Sequence, residues 1–243
     1  MTITAPAATA PVSTVTTDPD RGHARAAGIF YLVTFAASFP ALFLIGPVLN
    51  DHNYILGAGQ DTRVLWGCLL DFVNALAGIG SAVALFPVMK RHKESLALGF
   101  VTSRTVEAAV IMIGVVSLVA VVTLRQDLAG AQGTDSAALA TVGRALVEVR
   151  NWTFLFGPGT MPAISAILLG TLMYRSRRVP RFMPIMGLIG APLLLTANIL
   201  TVLGHNTQLS AWSGIATVPV ALWELSIGLY LTFKGLKPDS LNQ

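Results

Sequence analysis

Residues 64–124 read VLWGCLLDFVNALAGIGSAVALFPVMKRHKESLALGFVTSRTVEAAVIMIGVVSLVAVVTL. Two apolar runs, Val64 to Met89 and Leu96 to Leu124, flank the basic cluster Lys90, Arg91, His92, Lys93. Each run exceeds the roughly 20 apolar residues that carry a helix across a hydrocarbon core about 30 Å thick. The connection between them is very tight, and its charge is of the kind that marks the cytoplasmic side of a membrane. This stretch decides the fold class: all-α, polytopic, and membrane-spanning.

The whole chain agrees. Its 243 residues are 53% hydrophobic and 12% charged, with a mean hydropathy of +0.67. A soluble domain carries roughly 25% charged residues, so half that amount cannot cover a water-facing surface. Disorder of the whole chain is excluded as well, because it needs low hydrophobicity and high net charge. The single cysteine, Cys68, permits neither an intrachain disulfide nor a thiolate metal cluster. The net charge of +4 and pI near 9.6 arise from clusters beside the spans. They orient helices rather than bind nucleic acid.

Outward from residues 64–124, residues 1–20 are rich in Thr, Ala and Pro and read as a disordered tail. Arg25 to Leu49 is longer than the apolar core of a signal peptide, about 7–15 residues, and reads as the first span, with Pro40 as its kink or break. A polar loop, residues 125–135, carries Gly130 and Gly133. Residues 137–150 form a separate helical element, capped by Asp135 or Ser136, that lies on the interface or extends the next helix. Spans four, five and six run from about Trp152 to Tyr174, Pro180 to Leu203 and Trp212 to Phe233. A six-helix domain over residues 21–237 and a short tail over 238–243 result. With both termini cytoplasmic, the basic clusters at 21–25, 90–93, 175–181 and 234–237 all fall inside. Arg63, Arg125, Arg144 and Arg150 fall outside. Both halves hold a Pro-interrupted span, but their polar residues follow different orders, so no repeat is established.

Charges inside hydrocarbon are costly and each requires a reason. The candidate polar cluster is Asp71 and Asn74 in span two, Arg104 and Glu107 in span three, and Glu224 in span six. Arg104 and Glu107 are three apart and share a helix face. At about 1.5 Å per residue, Arg104 lies about 12 Å from Leu96 and Glu224 about 14 Å from Phe233, so their depths match. Asp71 lies about 27 Å from Met89, far from Arg104, and is expected to lack a cationic partner. Three acids against one base leave a surplus that a proton, a cation or a wet cavity must offset. Either the cluster fixes helix register, or it holds a proton, a cation or a small amphiphile.

The stretch Gly157-Pro158-Gly159-Thr160-Met161-Pro162 weakens span four twice over. It reads as a kink near the outer interface, or as the broken helix of a binding site. His23, His52, His92 and His205 lie outside the spans without metal-ligand spacing, and no nucleophile or phosphate-loop motif occurs. No metal and no cofactor is implied, and an enzyme is disfavoured.

RAAGIFYLVTFAASFP from Arg25, SRTVEAAVIMIGVVSL from Ser103, LLGTLMYRSRRVPRFMPIMGLIGA from Leu168 and VPVALWELSIGLYLTFKGLK from Val218 together resemble one family. It is the bacterial membrane-protein family called domain of unknown function 4386, and the resemblance covers about residues 21–237. The resemblance implies a multi-pass protein of the plasma (inner) membrane, with a polar residue in span two, Arg-x-x-Glu in span three and Glu in span six. Those positions fall on Asp71, Arg104, Glu107 and Glu224. The Gly157–Pro162 break departs from the uninterrupted helix that the family implies. No activity comes with the family. The expected function is binding, transport or regulation at the cluster. Alternatives are an intramembrane enzyme acting on lipid, with Glu107 or Glu224 as acid or base, and a structural or accessory subunit. The bilayer is the expected partner.

Overall fold

A computed structural model describes residues 19–57, 59–128 and 135–238. Helix α1 spans Pro19–Asn50 and passes through Pro40 and Pro47 without ending. A 3₁₀ turn, Tyr54–Leu56, leads to α2, Asp61–Asp127. Then come α3 (Ser136–Phe154), a π turn (Leu155–Gly159) and α4 (Met161–Ser176). Helices α5 (Phe182–Val202) and α6 (Ala211–Phe233) complete the order, and no strand occurs among the described residues. The expected Gly130 and Gly133 loop centre and most of both expected tails lie outside the described residues. Residues 19 and 20, expected in the tail, instead start α1, because Asp20 is buried and ion-paired.

The 67 residues of α2 would measure about 100 Å if straight. They do not run straight. Lys93 is extended, with φ −159° and ψ 104°, and breaks the helix between two arms, residues 61–92 and 94–127. The arms fold back so that Asp61 and Arg125, at opposite ends of the element, form an ion pair. Arg125 Nε also donates to the Gly57 carbonyl at 2.7 Å, and Gln126 donates to Asp61 at 3.0 Å. A string of apolar turns thus reverses at one polar residue.

Asp135 caps α3 by accepting from the amides of Ala137 and Ala138. Residues 136–176 then form one helix of 41 residues, with the π turn inside it. Residues 137–150 therefore extend the following helix, one of the two expected alternatives.

At one end of the bundle, the Asp20 carboxylate accepts from Arg91 and, at 2.9 Å, from Arg178, which is 1% exposed. The Lys237 amide donates to the Arg178 carbonyl at 2.8 Å. The start of α1, the bend of α2, the α4–α5 connection and the C-terminal segment therefore share this end, where the basic clusters gather. Arg177, at φ 55°, ends α4 in the left-handed conformation. Two apolar cores follow along the bundle. One surrounds Tyr31, Leu85, Phe100, Met173 and Trp223; the other surrounds Ile45, Ile55, Val64, Cys68 and Val121. The outer surface is apolar too: Phe43, Val116, Ile215 and Phe233 are all more than 60% exposed. Water would not tolerate that surface, and lipid does.

Candidate functional site

The i, i+3 spacing on the second arm of α2 places Arg104 and Glu107 on one buried face. Arg104 Nη1 donates to Glu107 Oε2 at 2.8 Å. Its other terminal nitrogen donates to Glu224 Oε1 of α6. One guanidinium therefore serves two carboxylates on different helices. It also lies over two rings, 5.2 Å from the Tyr31 centroid and 5.9 Å from that of Phe100. Tyr31 is fully buried, and its hydroxyl interacts electrostatically with Arg104, Glu224 and Glu107. Among the described residues, Tyr31 Oη, Arg104 Nε and Trp223 Nε1 are buried without a hydrogen bond.

Asp71 is elsewhere. It lies on the first arm of α2 and accepts from Arg150 Nη2 of α3 at 3.1 Å. Asp71 is 7% exposed and Arg150 6%. The expectation that Asp71 lacks a cationic partner is therefore wrong. The cause is the continuous helix through residues 136–176, which packs on α2 and sets Arg150 against Asp71. Close packing completes the path: a Cβ on Gly114 would stand 2.8 Å from Arg150 Cδ. Arg150 also sits over the Phe154 ring, 5.0 Å from its centroid. Asn74 is half-buried on the same arm as Asp71. Four of the five expected cluster residues thus divide between two sites, Arg104–Glu107–Glu224 and Asp71–Arg150, and Asn74 joins neither ion pair.

The Gly157–Pro162 stretch begins in the π turn Leu155–Gly159 and runs on through Thr160 into α4. A Cβ on Gly157 would stand 3.1 Å from Val110 Cγ1 and 3.6 Å from the Glu107 carbonyl. The break consequently packs on the turn that carries Glu107. A widened turn absorbs the missing donor of Pro158, and neighbouring side chains satisfy the remaining backbone. Asn198 Nδ2 of α5 donates to the Gly159 carbonyl at 2.7 Å and to Thr160 Oγ1 at 3.2 Å. Thr160 Oγ1 donates to the Leu155 carbonyl at 2.7 Å. Gly159 and the buried Pro162 thus sit in continuous helix beside α5.

Sequence reasoning missed Tyr31 and Arg150. Tyr31 sits within IFYLVTF, where any aromatic reads as core. Arg150 carried a signal: it follows the apolar Val149, stands two residues before Trp152 and precedes the break by seven residues. Among the described residues, no three of His, Cys, Asp and Glu converge as a metal site.

Five helices long and apolar enough to cross a membrane, with paired charges buried between them, define a multi-pass helical membrane protein. Over residues 26–235 the chain matches the family described as Domain of unknown function (DUF4386), and it belongs to that family. No curated protein and no solved structure matches it.

Proposed function

We propose that this protein crosses the plasma membrane six times and binds one exchangeable proton at Arg104–Glu107–Glu224, in the service of transport or regulation. Five helices qualify as spans, and the folded α2 supplies a sixth crossing. The end that gathers Arg91, Arg178 and Lys237 is the cytoplasmic one, by the bias of Lys and Arg toward that side. Both termini then lie in the cytoplasm.

One observation carries the functional reading: a single guanidinium faces two carboxylates in a buried layer. With both carboxylates ionised the cluster holds one uncompensated negative charge, which low dielectric penalises heavily. One proton removes it. The Tyr31 hydroxyl, fully buried at the same layer, interacts electrostatically with Arg104 and with both carboxylates. The π turn packed against Glu107 supports the reading, because such turns are frequent at functional sites.

Infrared difference spectroscopy of the protein in lipid nanodiscs, across pH 5 to 9, tests the reading. The expected result is the carbonyl band of a protonated carboxyl that titrates, and that disappears in Glu107→Gln or Glu224→Gln. A spectrum holding only ionised carboxylates, indifferent to sodium and potassium, overturns it. A band that appears only when those cations are withdrawn assigns the charge to a cation instead.

A further inference from the structure

The far end of the bundle, opposite the Asp20 cluster, is not closed. The C-terminal half of α1 stands away from α3 and the α5–α6 connection, leaving two adjoining cavities of about 430 and 700 Å³. They share Leu49, Glu148 and Asn151 and so form one cleft. Each cavity alone falls within the about 300–1,000 Å³ of pockets that hold a small organic ligand.

The lining grades from apolar to polar. Leu42, Gly46 and Leu49 of α1 and Trp152 of α3 provide an apolar wall, while Asn151 and Glu148 stand further toward the end of the bundle. Trp152 is stacked with Phe156, centroids 6.2 Å apart, which fixes its ring. Gln208 donates to the Asn151 carbonyl at 2.9 Å and ties the α5–α6 connection to α3 beside the cleft. Glu148 is the only charged residue lining the larger cavity, and no ion pair engages it among the described residues. The smaller cavity adds Asp51 and Arg144, so carboxylates outnumber cations across the cleft.

We propose that the cleft binds a cationic amphiphile, an organic ammonium on an alkyl or aromatic body. The ammonium pairs with Glu148, and the body lies along Leu42, Leu49 and Trp152. The charge balance selects this class: Asp51 and Glu148 outnumber Arg144 across the cleft, which favours a cationic head group over sulfate or phosphate. The apolar wall leads toward the carboxylate, so a chain and its charged head fit in one direction only. The proposal does not depend on the proton-binding reading.

The test is equilibrium binding of radiolabelled decyltrimethylammonium to the protein in phosphatidylcholine nanodiscs, against empty nanodiscs. Saturable binding of one equivalent is expected, with decyl sulfate failing to compete. Glu148→Gln should weaken it about tenfold, the loss of about 1.4 kcal/mol. Gly46→Leu should weaken it similarly by filling the cleft. A Cβ there meets only Asn50 Nδ2, at 3.8 Å, so the helix accepts the change. Glu107→Gln should bind as the wild type does, so this proposal and the proton site fail separately. Binding no greater than in empty nanodiscs overturns the proposal. So does equal competition by decyl sulfate, or affinity that survives both variants. Displacement by phosphatidylethanolamine would assign the cleft to a lipid and overturn it too.

Discussion

Arg150 crosses α2 over Gly114, and the two residues meet with no room for a methyl group. A Cβ on Gly114 would stand 2.8 Å from Arg150 Cδ and 2.7 Å from Thr153 Oγ1. The missing side chain is what lets a guanidinium on α3 reach a carboxylate on the opposite arm of the hairpin. Gly114→Ala should therefore push Arg150 off Asp71. Overpacking of this kind costs about 1–3 kcal/mol. Thermal unfolding in detergent should show the loss. In an Arg150→Ala background the contact with Cδ is gone and only that with Thr153 Oγ1 remains, so the same substitution should cost less. Equal losses in both backgrounds would contradict the account.

Arg104 is expected to be the most sensitive single position in the buried layer. Arg104→Met leaves Glu107 and Glu224 without their shared partner, and removing one member of a buried pair costs about 3–5 kcal/mol. Adding Glu224→Gln should restore part of the lost thermal stability. Strictly additive damage in the double variant would show that the two side chains do not act on one another.

Asn198 holds the π turn through two donations, to the Gly159 carbonyl and to Thr160. Asn198→Leu keeps the volume and removes both. Within a membrane such bonds are worth about 0.6–2 kcal/mol, so global stability should fall only modestly. Hydrogen exchange should respond more: amides of residues 155–164 should exchange faster while those of α6 stay unchanged. A uniform change across both would mean that Asn198 supports the bundle at large.

What was readable from the sequence, and what was not, follows a physical line. Arg104 and Glu107 are joined by helix periodicity, a local rule, and Glu224 joins them by depth, because straight helices of known pitch make depth countable. Asp71 defeats the same arithmetic. Its partner sits before a Gly-Pro break that propensity reads as a helix end, whereas a π turn stabilised by Asn198 carries the helix through. That stabilisation comes from α5, some 39 residues away in the chain, and no local rule contains it. The bend at Lys93 was legible as a polar cluster between two apolar runs. The cleft beside Glu148 was not, since its walls come from α1, α3 and the α5–α6 connection.

The far end of the bundle offers a pH test away from the membrane-buried charges. Tyr54 lies between α1 and α2, and its hydroxyl donates to Asp61 Oδ1 at 2.9 Å. Burial raises its pKa above the ordinary phenol value of 10.0, and the Asp61 carboxylate raises it further. The folded state thus holds its proton where the unfolded chain has lost it. By linkage, the stabilisation is fully present below about pH 10 and is lost as pH rises toward the folded value. Tyr54→Phe removes the hydroxyl and with it the hydrogen bond, worth about 1 kcal/mol or somewhat more with an ionised acceptor. The wild type should therefore be the more stable protein at pH 8. Its advantage over Tyr54→Phe should shrink as the pH rises above about 10. Denaturation midpoints for both proteins at matched pH measure this directly. An advantage that stays constant or grows above pH 10 would mean that Tyr54 ionises in the folded state as readily as in the unfolded one. The Asp61–Arg125 pair would then be shielding the phenol from the carboxylate, rather than the carboxylate holding the phenol's proton in place.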